Sequence, residues 1–192
     1  LADAAWLYRH RLDDTERARA CLHRILELEP EHADAKLALA ELLHDTQQWE
    51  TLWPHLEQRV QLAKHDANVS PGERHDAYTR AARCAVELGK FSTALELYDL
   101  ACSIDQSPAT LIERADALHR SNALDAAVAA YQTIATRHTQ ALDRTQLATV
   151  YRRLARLYTE LGNASQAQLF HGKVLDIDPA HRETLEDLVE MH

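Results

Sequence analysis

The sequence predicts an all-α protein in which antiparallel helix pairs follow one another along the chain. Composition is the first reason, since 192 residues include only four glycines and five prolines and the dominant residues are the helix formers alanine, leucine, glutamate and arginine. The second reason is spacing, because apolar residues recur at steps of three and four and therefore lie on one helical face. The third is that such stretches come in pairs joined by short turns.

The helix pair in residues 151–179 shows this pattern most clearly. The face of its first helix is formed by Tyr151, Leu154, Ala155 and Tyr158, and that of its second by Ala167, His171, Val174 and Leu175. Gly162 lies between the two helices, where a left-handed residue costs least, and Pro179 ends the second. A pair this short cannot bury its apolar face alone, so we expect copies of it elsewhere in the chain.

The order aromatic-x2-Leu-small-x2-Tyr, then Ala-x3-aromatic, then proline resembles the signature of the tetratricopeptide repeat (TPR) family. The positions of this signature are occupied by Tyr151, Leu154, Ala155, Tyr158, Ala167, His171 and Pro179. Ala155 replaces the usual glycine, and His171 stands where a large apolar ring is usual. The resemblance implies a right-handed superhelical solenoid of helix pairs, with a protein- or peptide-binding role.

Comparison with this pair divides the chain into about five pairs and a terminal helix, which we expect to form one domain over residues 1–192. The predicted pairs cover about residues 1–30, 33–64, 71–105, 108–138 and 143–179, and residues 181–191 form a helix that caps the C-terminal end. Equivalent positions of the second helices fall at Ala18, Leu52, Ala94, Ala127 and Ala167, at intervals of 34, 42, 33 and 40 residues. The two long intervals contain polar connectors, and neither connector is long enough to separate domains.

Two local features bear on where helices begin. Ser70, Pro71 and Glu73 predict a helix start, since they supply an N-cap serine, a proline at the first position and a capping-box glutamate. Pro54 lies inside a predicted second helix, where it removes a hydrogen bond and its ring clashes with the preceding turn. We therefore expect a kink there, or a helix that begins later than its counterparts.

Charge and hydropathy argue against several kinds of partner. The formal net charge of −9 disfavours nucleic acid, whose phosphates need a basic surface. No apolar run is long enough for a transmembrane helix, and no secretory leader opens the sequence. Because the chain begins at Leu1 rather than at methionine, we expect it to be a piece of a longer protein. Its arginine- and alanine-rich helices and alternating connector lengths are similar to those of bacterial multi-repeat proteins.

The cysteines Cys21, Cys84 and Cys102 are too few and too scattered for a disulfide framework or a zinc site. They fall where TPR helices carry small buried residues. We therefore expect reduced core thiols and, from them, a cytoplasmic location.

No catalytic or cofactor-binding motif occurs in the sequence. HExxH, GxGxxG, the P-loop and GxSxG are missing, and four glycines could hardly build a phosphate cradle. The twelve histidines lack metal-ligand spacing and are expected on the surface, with a pH-sensitive or opportunistic metal site as the alternative. We therefore expect a protein that is not an enzyme and that has no cofactor and no metal site.

In TPR proteins the usual ligand site is a concave groove lined by the first helices, and the resemblance transfers this role to the corresponding positions here. The groove residues predicted in this way are Arg80, Arg83, Asp116, His119, Arg120, Arg152 and Arg156. Chaperone-binding TPR domains hold a peptide's C-terminal carboxylate with asparagines and lysines. None stands at these positions, which disfavours that role.

The arginines Arg83, Arg152 and Arg156 offer forked donors that suit a carboxylate or a phosphate. One hypothesis is therefore a mixed-charge groove that binds an acidic or phosphorylated segment of a partner. The alternative is that these arginines pair with neighbouring carboxylates, such as Glu113 and Asp116, and with water.

The function expected from these features is a non-enzymatic interaction scaffold that binds a peptide or a partner protein. Two alternatives stay open. One is a structural spacer that self-associates through the ends of the solenoid, and the other is a regulatory domain of a larger enzyme or transcription factor.

Overall fold

The computed structural model describes residues 14–30 and 32–190, and every regular element in those ranges is helical. The α-helices are α1 (Thr15–Leu28), α2 (Ala33–Asp45), α3 (Trp49–His65), α4 (Pro71–Glu87), α5 (Phe91–Ile104), α6 (Pro108–Arg120), α7 (Leu124–Arg137), α8 (Arg144–Glu160), α9 (Ala164–Ile177) and α10 (Arg182–Glu190). A short 3₁₀ helix, Thr139–Ala141, lies between α7 and α8. The predicted fold class is therefore confirmed, while the first helix of the first predicted pair lies outside the described residues.

The chain forms two compact units, Leu1–Leu88 and Gly89–His192. In the described part of the first unit, α1 packs on α2, α2 on α3 and α3 on α4. Its buried side chains include Leu22, Leu39, Leu43, Leu52, Leu56 and Tyr78. The arrangement of residues 1–192 as one continuous domain stays a prediction.

In the second unit each helix also packs on the next one along the chain, from α5 to α10. A cluster of buried side chains fills its centre and includes Ala115, Tyr131, Ile134, Val150, Leu154, Leu157 and Phe170. Contacts between sequence neighbours are what a solenoid repeat uses to bury its apolar faces.

One core position recurs in the second helix of each pair. The residues at the predicted intervals, Ala18, Leu52, Ala94, Ala127 and Ala167, are at most 2% exposed. One turn further along the same face lie Leu22, Leu56, Tyr98, Tyr131 and His171, which are all buried. The intervals found in the sequence therefore separate residues that occupy equivalent buried positions in the structure.

A left-handed residue closes four of the turns between paired helices. Two of these residues are Gly89 (φ 70°) and Gly162 (φ 72°), and the other two are Gln47 (φ 55°) and Asn122 (φ 63°). Glycine adopts this conformation without strain, whereas a residue with a Cβ atom is strained by it. The turn at Gln47 therefore forms at a residue that this conformation strains.

Pro54 lies inside α3, which runs without a break from Trp49 to His65. The expectation of a late helix start is wrong, because α3 begins two residues after Gln47, just as α5 begins two residues after Gly89. The position of Pro54 is exposed. The kink itself stays a prediction.

The cysteines are free thiols with different surroundings. Cys84 is buried as expected, whereas Cys21 and Cys102 are only partly buried. Burial nevertheless raises the pKa of the Cys102 thiol above its ordinary value, so this thiol is less reactive than a fully solvated one.

Candidate functional site

The second unit contains an open cavity of about 410 Å³ among α8, α9 and α10. Its lining side chains are Arg152, Arg153, Arg156, Thr159 and Glu160 of α8, His171 of α9, and Glu183 and Asp187 of α10. The α8 residues recur at steps of three and four, which places them on one face of that helix. We call this concave surface the Arg156 cavity.

A capping box fixes the start of α8 and so the direction in which its arginines point. Oδ1 of Asp143 accepts a hydrogen bond from the backbone N–H of Gln146 at 2.7 Å. The side-chain oxygen of Gln146 accepts one in return from the backbone N–H of Asp143 at 3.1 Å. This reciprocal arrangement satisfies two N–H groups that have no partner within the helix.

Two contacts, an ion pair and a hydrogen bond, hold charged side chains of the Arg156 cavity. Nη1 of Arg152 lies 2.7 Å from Oε2 of Glu183 on α10. Nε2 of His119 on α6 lies 2.8 Å from Oε2 of Glu160. The arginine and both carboxylates in these pairs are therefore already engaged within the chain.

The carboxylate of Asp116 on α6 contacts side chains of both α7 and α8. Its Oδ1 accepts a hydrogen bond from the hydroxyl of Tyr131 at 2.6 Å, and Nε of Arg153 lies 3.0 Å from the same oxygen. The N–H of that Nε does not point at the oxygen, so the contact with Arg153 is an ion pair without a hydrogen bond. Burial, and then the charge of Asp116, raise the pKa of Tyr131 far above its ordinary value. The phenol is therefore always a donor, and Asp116 serves helix packing.

Three groups in the Arg156 cavity have no hydrogen bond or ion pair with the described part of the chain. They are the exposed guanidinium of Arg156, the half-buried carboxylate of Asp187 and the imidazole of His171. His171 is only 2% exposed, and its Nδ1 is enclosed without a partner. Burial lowers the pKa of His171, while the charge of Asp187 partly opposes this, so the imidazole is neutral near neutral pH.

The first unit contains a smaller cavity of about 280 Å³ among α2, α3 and α4. The predicted groove residues Arg80 and Arg83 both line it. Nε of Arg80 lies 2.8 Å from Oδ1 of Asp76 on the same helix, and Nη2 of Arg59 lies 3.7 Å from the other oxygen of that carboxylate. Arg80 is therefore held by a carboxylate of its own helix.

The other predicted groove residues belong to the second unit. Arg152 and Arg156 line the Arg156 cavity. Asp116 and His119 do not line it, but they contact two side chains that do. Arg120 lies exposed in the last turn of α6 and outside that lining.

Sequence reasoning did not assign His171, Glu160, Glu183 or Asp187 to a site. His171 did give a signal, because it occupies a position that is apolar or aromatic in the other repeats. The three carboxylates gave none, since acidic residues on helix surfaces are ordinary in a soluble protein. Their role in the cavity depends on how α10 packs against α9.

The described residues, 14–30 and 32–190, contain neither a candidate metal site nor a candidate membrane-spanning helix. Within them no group of three or more histidine, cysteine or acidic side chains could hold a metal ion. Nor is any helix in these ranges long and apolar enough to cross a membrane.

Two family models of the tetratricopeptide repeat match the sequence, one over residues 3–32 and the other over residues 75–108. No curated protein matches it at a significant level. These two segments of the chain are therefore tetratricopeptide repeats, and they lie within an architecture of helix pairs. Tetratricopeptide repeats generally form scaffolds for protein–protein interaction, and the two repeat matches support that general role for this chain.

Several solved structures share the fold. A Podospora anserina protein of nearly identical TPR-like repeats, assigned to the kinesin light chains, is 18% identical with a TM-score of 0.75, over 95% of this chain and 94% of that one. MamA is 16% identical with a TM-score of 0.70, over 95% and 99% of the two chains. YrrB, a TPR protein with an unusual peptide-binding site, is 19% identical with a TM-score of 0.68, over 97% and 89%. At such identities the likeness concerns the fold alone.

Proposed function

We propose that the chain is a non-enzymatic interaction scaffold that binds an acidic segment of a partner protein in the Arg156 cavity. The observation that carries this proposal is the state of Arg156. Its guanidinium is exposed, lines a concave surface, and has no ion pair or hydrogen bond with the described residues. An arginine of this kind can hold a carboxylate with two parallel hydrogen bonds.

The neighbouring arginines are less suited to the same role. Arg152 pairs with Glu183 and Arg153 with Asp116, so a ligand would have to break these contacts before it gained its own. Their charges offset part of the negative charge of the surrounding carboxylates, which would otherwise repel an anion at Arg156. The partner's carboxylate would therefore bind at Arg156, while Arg152 and Arg153 keep their positions.

Two structural neighbours support a binding role for this fold. YrrB has a peptide-binding site. A structure of Naa15 and Naa10 bound to HypK is 17% identical with a TM-score of 0.70, over 97% of this chain and 27% of that one. Both are consistent with TPR helices that present a surface to another polypeptide.

The test is fluorescence anisotropy with a labelled, C-terminally amidated peptide of alternating glutamate and glycine. Arg156→Ala should weaken its binding about tenfold or more, since a hydrogen-bonded charge pair contributes about 1.5–3 kcal/mol. Arg137→Ala is the matched control, because it removes the same charge from an exposed side chain at the end of α7 that also has no ion pair with the described residues. The affinity of the native chain should also fall as salt is added.

A peptide with glutamine in place of glutamate separates charge recognition from general adhesion. Equal affinity for both peptides, or equal affinity in the native and Arg156→Ala chains, would refute the proposal. The single variant is preferable to one that also removes Arg152. Loss of Arg152 would free the carboxylate of Glu183, which would itself repel the peptide.

A further inference from the structure

His171 occupies a position that recurs in every described second helix, and it is the one residue there with an unused polar group. The equivalent residues are Leu22, Leu56, Tyr98 and Tyr131. The hydroxyl of Tyr98 donates to Glu113 at 3.3 Å, and that of Tyr131 donates to Asp116 at 2.6 Å. The two leucines have no polar group to satisfy, whereas the imidazole of His171 has two nitrogens without a partner in the described chain.

An unpaired polar group in a buried position destabilises the fold. A leucine, as at Leu56 in the first unit, would fill the same position without that cost. The packing therefore gives no reason for a histidine here. Its side chain also lines the Arg156 cavity, which puts the imidazole and the unpaired guanidinium of Arg156 on one concave surface.

The charged groups that face His171 come from two helices. From α8 they are Arg152, Arg153, Arg156 and Glu160, and from α10 they are Glu183 and Asp187. Arg152, Arg153, Glu160 and Glu183 are all paired, as described above. The groups left to donate a hydrogen bond to a ligand are therefore Arg156 and His171, while Asp187 is the one remaining unpaired carboxylate among the described residues that line the cavity.

We infer that His171 is a ligand-binding residue of this cavity, whose imidazole N–H donates a hydrogen bond to the carboxylate that Arg156 holds. This inference rests on the proposed function and adds a second recognition group to it. The ligand group it selects is the carboxylate of an aspartate or glutamate side chain. An amide of the same shape would accept the hydrogen bond but would lose the charge interaction with Arg156.

The inference also predicts the pH dependence of binding. A carboxylate beside His171 favours the protonated imidazole, so binding takes up a proton as the pH falls towards the pKa of the complex. The affinity of the native chain for the glutamate–glycine peptide should therefore rise between about pH 7.5 and about pH 5.5, where glutamate, with its pKa of about 4.3, stays ionised.

The experiment compares the native chain with His171→Leu and His171→Asn in the same anisotropy assay, with urea unfolding measured in parallel. We expect His171→Leu to bind about fivefold to tenfold more weakly, to lose the rise in affinity at low pH, and to be at least as stable as the native chain. His171→Asn should keep part of the affinity, because it retains a polar side chain. His23→Leu, at an exposed histidine of α1, is the control.

Each other outcome overturns the inference. Unchanged affinity and an unchanged pH profile in His171→Leu would show that the imidazole does not touch the ligand. A clear loss of stability in that variant would show that His171 is a packing residue. If Arg156→Ala abolishes binding while His171→Leu does not change it, the proposed function stands and this inference alone fails. If the native chain does not bind the peptide, both fail.

Discussion

The hydroxyl of Tyr131 donates a hydrogen bond to Oδ1 of Asp116 over 2.6 Å, although the sequence places Asp116 among the groove residues. Tyr131 is fully buried, and Nε of Arg153 shares the same carboxylate oxygen at 3.0 Å. We therefore predict that Asp116→Ala lowers the free energy of unfolding by about 2–3 kcal/mol. It leaves a buried hydroxyl without an acceptor and a half-buried arginine without its counter-charge.

Urea unfolding checks this prediction against two companion variants. Tyr131→Phe removes only the hydrogen-bond donor and should lower the free energy of unfolding by about 0.5–1.5 kcal/mol. Asp99→Ala breaks an ion pair with Arg114 in which the carboxylate is 61% exposed, and it should cost about 0–1 kcal/mol. A loss at Asp116 no larger than that at Asp99 would contradict the structural role assigned to Asp116.

The fold could be predicted from the sequence because its determinants are local and repeated. Ala94 and Ala127 mark the same packing position in successive pairs, 33 residues apart, and both are completely buried. The helix start predicted at Ser70 is confirmed, since Ser70 and Glu73 form the full capping box in the structure. Helix periodicity and capping depend on residues a few positions apart, so a single sequence contains them.

The candidate site was predicted only in part because ion pairing depends on residues far apart in sequence. Arg152 and Arg156 lie one turn apart on α8 and look alike in sequence. Their difference arises from Glu183, thirty-one positions from Arg152, which pairs with Arg152 and not with Arg156. No local pattern indicates which of two arginines an acidic residue on another helix will choose.

Gln47 closes the turn between α2 and α3 with a φ of 55°, a conformation that costs a residue with a Cβ atom about 1–2 kcal/mol. Gln47→Gly removes this strain but adds conformational freedom to the unfolded chain, which offsets about 0.4–1 kcal/mol. We predict that Gln47→Gly raises the free energy of unfolding, measured with urea, by about 0.5–1 kcal/mol in net terms. Asn122→Gly should raise the free energy of unfolding by less, because asparagine tolerates the left-handed region better than glutamine does. A loss in Gln47→Gly would show that the glutamine side chain has a structural role.

Pro54 is the sixth residue of α3, and its ring removes the hydrogen bond that the carbonyl of Glu50 would otherwise accept. Alanine is favoured over proline inside a helix by about 3 kcal/mol, and the more flexible unfolded chain offsets about 1 kcal/mol of this. We predict that Pro54→Ala raises the free energy of unfolding by about 1–2 kcal/mol. Pro71→Ala is the control and should give no gain, since proline at the first helical position loses no hydrogen bond. Destabilisation by Pro54→Ala would show that the packing of α3 requires a bend at this residue.

His171 should make the ligand-free protein less stable in mild acid. Burial lowers the pKa of its imidazole below the ordinary value of 6.5, so the folded state binds fewer protons than the unfolded state in this range. The stability that depends on the neutral imidazole is thus fully present above about pH 6.5 and is lost as the pH falls towards the lowered pKa.

His55, whose pKa burial also lowers, contributes a loss of the same sign, so the comparison must be made between variants. We expect the free energy of unfolding to fall between about pH 7.5 and about pH 5.5 in the native chain. The fall should be smaller in His171→Leu, in which the contribution of His55 is unchanged and only that of His171 is removed. Urea unfolding at the two pH values measures each difference. An identical fall in the native and His171→Leu chains would mean that His171 titrates alike in the folded and unfolded states, contrary to its burial.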